Sequence, residues 1–221
     1  MIKIIENFLP KAQAESLSGQ IYDTNESWWS YVYKYKGLKT PLHFKNTLRD
    51  RFRREEVEAD FVKSFRQGDF TYKFKRSTPH VPNCTCFECK FKADTLHSPE
   101  FLSKISEEMD LQNPYLFESF ISAYESGDFL NIHSDEKRGI AFILNLSQGW
   151  KPEYGGMLNI MQEDGSFKAI FPKFNSLILM KLGDEGTPHF VSEVSKYAPF
   201  ARVAIGGWNN ERSIFTNFTN K

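Results

Sequence analysis

From residue 116 to residue 207 the chain is a succession of short apolar or alternating runs. They fall at 116–124, 129–133, 140–146, 157–161, 167–171, 176–181, 189–194 and 202–207. Each is cut off from the next by Gly, Pro, Asn, Asp or Ser, residues that end strands and make turns. Many short strands at regular spacing point to a sandwich or jelly roll rather than to alternating strands and helices. The aromatic content agrees, since 21 Phe, 9 Tyr and 4 Trp suit the pleated, half-buried surfaces of a β-rich core.

The first half reads differently. Residues 2–8 predict a short strand, and Pro10 opens a helix over 11–22 with Ala12, Leu17 and Ile21 on one face. Tyr31, Tyr33 and Tyr35 have the period of a strand, either an outer strand packing its rings on the core or an aromatic wall facing a substrate. Helical spacing of Phe52, Val57, Phe61, Val62 and Phe65 predicts a second helix over 50–67, and Phe70, Tyr72 and Phe74 a strand after it. Residues 76–98 break every period and predict a long irregular loop. Ser98 and Pro99 then supply an N-cap and a first-turn proline for a helix to Met109, burying Phe101, Leu102, Ile105 and Met109. The expectation is a mainly β, α+β chain of one domain over 1–221. In it, 1–114 would be a helix-and-strand support and 115–210 a jelly-roll core, the double-stranded β-helix.

Composition narrows the classes of function. Lys+Arg and Asp+Glu both total 28, so the formal net charge is zero and a broad nucleic-acid surface is not expected. No apolar run reaches the length of a membrane span, and the N-terminus has no signal-peptide pattern, so a cytoplasmic protein without membrane contact is expected. Three cysteines within six positions, Cys84, Cys86 and Cys89, cannot build a disulfide framework and point to a reducing compartment or a metal.

The chemistry gathers around His133-Ser134-Asp135. Residues i and i+2 of a strand face the same side, so His133 and Asp135 can both point inward. A third ligand must come from a distant segment, and His189, 54 residues beyond Asp135, opens a later run. Two imidazoles and a carboxylate on one face would leave positions open for a bidentate cosubstrate and for dioxygen. Taken alone, His-x-Asp is a weak signal; the residues around it strengthen it.

Those residues are Tyr124-x-x-Gly127, Ile143-Leu-Asn145-Leu, Gly155-Gly156-x-Leu158, Pro172-x-x-Asn175-x-Leu177, His189-x-Val191-x-x-Val194 and Arg202-x-Ala-x-x-Gly-Trp208. In order and spacing they resemble the 2-oxoglutarate- and iron(II)-dependent oxygenases of the prolyl 4-hydroxylase type. The opening Ile5-Glu-Asn-Phe-Leu-Pro10 and its helix are similar to that family's N-terminal segment as well. The resemblance implies His133, Asp135 and His189 as iron ligands and Arg202 as the partner of the far carboxylate of 2-oxoglutarate. A guanidinium suits that task because it grips a carboxylate through two parallel hydrogen bonds. Tyr124 and, with less weight, Asn145 are candidates for the cosubstrate site, Trp208 for core or barrel mouth with a pocket role as the other reading, and Gly155-Gly156 for a tight turn or bulge without a ligand. Arg138 is read as solvated, with contact to an acidic substrate as the other reading.

The implied activity is that of an Fe(II)- and 2-oxoglutarate-dependent dioxygenase. It would use O2 to hydroxylate an unactivated C–H bond of an amino-acid-type substrate, free or peptidyl, with succinate and carbon dioxide as coproducts. The alternatives are desaturation or cyclisation in metabolite biosynthesis and an inactive cupin-like binding barrel. An inactive barrel has no physical need for four polar groups converging inside it, and a halide-dependent variant is disfavoured by Asp135. Separately, Cys84, Cys86 and Cys89 with His80 or His97 could hold a structural zinc. The alternative is a metal-free flap over the substrate.

Overall fold

The structure, a computed structural model, describes residues 1–135, 139–183 and 186–211. Its strands are β1 (Ile2–Glu6), β2 (Trp29–Lys34), β3 (Leu42–Phe44), β4 (Tyr72–Ser77), β5 (Pro114–Tyr124), β6 (Phe129–His133), β7 (Ile140–Asn145), β8 (Leu158–Met161), β9 (Phe167–Ile170), β10 (Ser176–Lys181), β11 (His189–Val191) and β12 (Arg202–Glu211). The helices are α1 (Lys11–Tyr22), α2 (Leu48–Arg66), α3 (Phe87–Phe91) and α4 (Pro99–Met109).

All the strands join one antiparallel, 12-stranded network in the order β1-β10-β7-β12-β5-β4-β6-β11-β8-β9, with β2 attached to β4 and β3 to β2. The network curls until its two ends face each other. One apolar cluster therefore mixes Tyr124, Ala141, Ile178 and Met180 from the first leaf with Leu158, Ile160, Ile170 and Val191 from the second. This is the double-stranded β-helix, or jelly roll, that the short-strand pattern predicts.

The helices cover the outer face of the first leaf. Ala14, Leu17 and Ile21 of α1 and Phe101, Ile105 and Met109 of α4 share a core with Phe142, Leu144, Leu177, Leu179, Val203 and Ile205. β10 is thus buried on both faces, with Leu177 and Leu179 against the helices and Ile178 and Met180 toward the interior. That double burial is why its sequence is a continuous apolar run rather than an alternation. Each such side chain contributes on the order of 2 kcal/mol by leaving water.

α4 starts as its sequence requires: the Ser98 hydroxyl accepts the Phe101 backbone N–H at 3.1 Å, with Pro99 in the first turn. β4 holds the two leaves together, pairing Lys75 and Arg76 with β5 and Tyr72 and Lys73 with β6. Lys75 is almost fully buried there and bonds Glu26 at 3.0 Å and Glu125 at 2.7 Å.

Several expectations need revision. The 76–98 loop is not irregular throughout, because β4 runs to Ser77 and α3 leads into a π-type turn over Lys92–Leu96. β3 was not foreseen, its three residues being too short to show a period. On α2 the expected apolar face is only partly used: Phe61 is buried, but Phe52 is 57% and Phe65 46% exposed. Ala12 of α1 is exposed, and Ala14 takes its place on the buried face beside the expected Leu17 and Ile21. β2 is an outer strand whose Tyr33 packs with Phe44, Phe61 and Phe129 rather than a wall facing substrate. No helix among the described residues is long and apolar enough to cross a membrane.

Candidate active site

Strand pairing brings the distant histidines together. His189 of β11 stands opposite His133 of β6 in the antiparallel register, and their ring centroids lie 4.2 Å apart. β6 ends at His133, so Asp135 sits just beyond the strand rather than on it. Its carboxylate still turns to the same point, 3.6 Å from His133 Nε2 and 3.7 Å from His189 Nε2. The ligand atoms of these three residues all lie within 4.8 Å of one another.

Both rings are oriented by the backbone. His133 Nδ1 is 3.0 Å from the Asn131 carbonyl and His189 Nδ1 is 2.7 Å from the Thr187 carbonyl. A carbonyl only accepts, so each Nδ1 donates to it and each Nε2 is left facing Asp135. Burial, reinforced by the neighbouring His189, pushes His133 down to about 4, which keeps its imidazole neutral and able to ligate. The third group is held by Trp208, whose indole N–H donates to Asp135 Oδ2 at 2.9 Å. Trp208 also lines the cavity, the pocket role that the sequence offered beside core or barrel mouth; its bond to Asp135 was not legible, since nothing in its neighbours shows where the indole's one polar atom points.

The triad lines a cavity of about 380 Å³ that also holds Phe70, Tyr72, Phe74, Phe120, Tyr124 and Arg202. Arg202 is 2% exposed and lies opposite Tyr124 in the β12–β5 register, with its guanidinium 5.4 Å from the Tyr124 ring. One amino group donates to Asn145 Oδ1 at 3.1 Å, and Nε is buried without a partner. Among the described residues no carboxylate pairs with it. A buried, uncompensated guanidinium is costly, and in a cavity it calls for an anion.

Asn145 does not line the cavity. It is fully buried beneath Arg202, its amide donating to Ser176 Oγ at 3.1 Å while its oxygen accepts from the guanidinium. Its contact with a cosubstrate therefore runs through Arg202. Gly155 and Gly156 both stand at positive φ, Gly155 following the 3-10 turn Pro152–Tyr154 and bridging Val194, and Gly156 abuts Arg202.

The aromatic wall of the cavity comes from β4 and its approach, with Phe120 and Tyr124 of β5, and not from β2. Phe70 stacks on His133 at 5.4 Å and Phe74 on Tyr124 at 4.9 Å. Arg76 lies over Phe120 and pairs with Glu118 at the rim. Arg138 lies outside the described residues. On the far side of β4, Cys84, Cys86 and Cys89 converge with His80, and not with His97.

Comparison with known proteins agrees with this arrangement. Residues 119–210 match the family model described as the 2OG-Fe(II) oxygenase superfamily. Over 116 residues the chain is 33% identical to prolyl 3-hydroxylase OGFOD1 of Mus musculus, a match covering 49% of this chain and 20% of that protein. Among solved structures, a Pseudomonas putida prolyl-4-hydroxylase superposes with a TM-score of 0.55 at 17% identity, covering 96% of this chain and 92% of that one. A viral collagen prolyl hydroxylase from Paramecium Bursaria Chlorella virus-1 gives 0.52 at 12% identity, covering 96% of each chain. At these identities the two structures speak for the fold. The matched segment carries the strands bearing His133, His189 and Arg202, and over that segment the chain is similar to the 2OG-Fe(II) oxygenase superfamily, whose name implies iron(II), 2-oxoglutarate and dioxygen.

Proposed function

We propose that this protein is an iron(II)- and 2-oxoglutarate-dependent dioxygenase that hydroxylates an unactivated C–H bond of an amino-acid residue. A prolyl residue in a peptide is the first substrate class to test. The observation that carries the reading is one cavity containing both a converging His/Asp/His set and a buried guanidinium that lacks an anion.

In this reading His133, Asp135 and His189 would hold iron through the two Nε2 atoms and a carboxylate oxygen, leaving the opposite face open. Arg202 would grip the far carboxylate of 2-oxoglutarate, with Asn145 fixing the guanidinium from behind. Tyr124, whose ring lies between Phe74 and Arg202, would close the cosubstrate end of the cavity. Once bound, iron and 2-oxoglutarate would supply the oxidising chemistry, with one atom of dioxygen passing to succinate as carbon dioxide is lost and the other to the new hydroxyl group. Phe70, Tyr72, Phe74 and Phe120 would exclude water from the reacting C–H bond and present a flat apolar surface to it. The support for a prolyl substrate is the likeness to proteins named as prolyl hydroxylases. The reading further takes 1–221 as one catalytic unit, in which 1–114 supports the barrel. It places the protein in the cytoplasm, where three free thiols are at home.

The test is turnover. Purified protein given ferrous iron, 2-oxoglutarate and oxygen should release succinate, and proline-containing peptides should raise the rate and gain 16 mass units. His189→Ala should abolish both. Folded, iron-loaded protein that releases no succinate with any amino acid or peptide would overturn the reading in favour of a binding barrel.

A further inference from the structure

The oxygenase chemistry leaves the cysteine cluster unused. Cys84, Cys86, Cys89 and His80 bring their ligand atoms within 4.8 Å of one another, all four being half-buried. His80 Nδ1 lies 3.6 Å from Cys84 Sγ and 3.5 Å from Cys86 Sγ. A tetrahedral ion with bonds of about 2.3 Å to sulfur and about 2.0 Å to nitrogen sets its sulfur and nitrogen ligands about 3.5 Å apart. The observed spacings match that edge.

The surroundings are also those of a ligand set. The other ring nitrogen, His80 Nε2, bonds Glu88 Oε2 at 2.9 Å, so a carboxylate orients the imidazole from behind and raises its basicity. The second Glu88 oxygen accepts from Ser77 Oγ of β4 at 2.8 Å, and Ser77 Oγ accepts the Ile121 N–H of β5 at 3.0 Å. The Cys89 backbone N–H points at Cys86 Sγ, 3.5 Å away, a donor that favours thiolate. Trp28 covers the group, stacked on Phe87 at 5.0 Å and 5.2 Å from the His80 ring.

We propose that Cys84, Cys86, Cys89 and His80 hold a structural zinc ion that anchors the 78–97 segment against the rim of the cavity. Three soft thiolates and one imidazole select zinc over the hard ions, and four protein ligands leave no open position for catalysis. The Glu88–Ser77–Ile121 chain joins this site to β4 and β5, the strands that carry Arg76 and Phe120. Those two residues line both the main cavity and a groove of about 440 Å³ that runs beside the segment. Zinc therefore fixes the wall past which a substrate would approach.

Cobalt distinguishes this site from the His133/Asp135/His189 set, because only cysteine ligands give intense thiolate-to-cobalt absorption in the near ultraviolet. The full chain carrying His133→Ala and His189→Ala, titrated with cobalt, should show that absorption at one equivalent. One equivalent of zinc should bleach it, and wild type purified without added metal should retain one zinc per chain through dialysis. Cys84→Ser with Cys89→Ser should lose both signals. Should that variant fail to fold, the zinc K-edge absorption spectrum of wild type decides, with three sulfurs and one nitrogen expected. Folded wild type with no retained zinc and no thiolate absorption overturns the proposal, as does iron in place of zinc at the thiolates. Either result leaves the oxygenase reading intact, since that rests on different residues.

Discussion

At the scale of single residues, the groups that hold the proposed ligands in place are open to test. Trp208 donates to the same carboxylate oxygen of Asp135 that faces His189. Trp208→Phe keeps an aromatic ring and removes the bond, leaving Asp135 free to turn. Loss of such a supporting bond costs about 10-fold or more in metal affinity. We expect iron dissociation to rise by about that factor with the fold unchanged, measured by chelator competition; unaltered affinity would mean that Asp135 is held by its backbone alone.

Asp128, half-buried in the turn between β5 and β6, is pushed up to about 7 by burial, with the Glu125 charge adding to it and the Glu125 N–H bond opposing it. The native chain thus holds this proton more tightly than the unfolded chain, whose value lies near 4. Stability from this group is therefore fullest below about pH 4 and is lost as pH rises toward about 7. Asp128→Asn removes the dependence. In urea denaturation the variant should gain on wild type by on the order of 1 kcal/mol between about pH 5.5 and about pH 8, a figure discounted for the partly open carboxyl. A gain that is flat with pH would show that Asp128 is ionised throughout.

At the scale of elements, the Gly155-Gly156 pair that leads into β8 bears on the cavity through Arg202. Gly156 has φ of 65°, and a Cβ there would lie 2.9 Å from Arg202 Cδ and 3.3 Å from Val194 Cγ2. Gly156→Ala should cost about 1–2 kcal/mol from the left-handed backbone and push the guanidinium out of line. The expected result is a raised requirement for 2-oxoglutarate at unchanged iron affinity; an unchanged requirement would mean that Arg202 does not bind the cosubstrate. Elements with a strong local signal were readable in advance. α1 and α4 fall at the expected bounds because a proline and a Ser-Pro pair mark their starts, and β10 falls at 176–181 because both of its faces are buried. β12 was read as ending at 207, yet it runs on to Glu211, since Trp208, Asn209 and Asn210 pair with β5 through a bulge that no local pattern announces.

At the scale of the whole molecule, the groups that the sequence singles out converge in the structure, by a geometry that the sequence does not show. His133 and His189 meet because β6 and β11 are neighbours in the curled network, a long-range pairing invisible in either segment. The same closure buries Asn145 under Arg202 and sends the aromatic wall to β4 and β5 rather than β2. What the sequence carried was the set of residue types that the proposed metal and carboxylate would need; which side chains back them was a matter of tertiary packing.

The measurement that bears most directly on the proposed function is anaerobic titration of the metal-free protein with ferrous iron and 2-oxoglutarate, followed in the visible region. A keto acid chelating iron gives a weak charge-transfer band. That band should appear in wild type, be absent in His189→Ala, and in Arg202→Ala require at least about 10-fold more 2-oxoglutarate, the loss expected when a buried charged partner is removed. Folded wild type that binds iron yet never develops the band would contradict the assignment of the cavity to iron and 2-oxoglutarate.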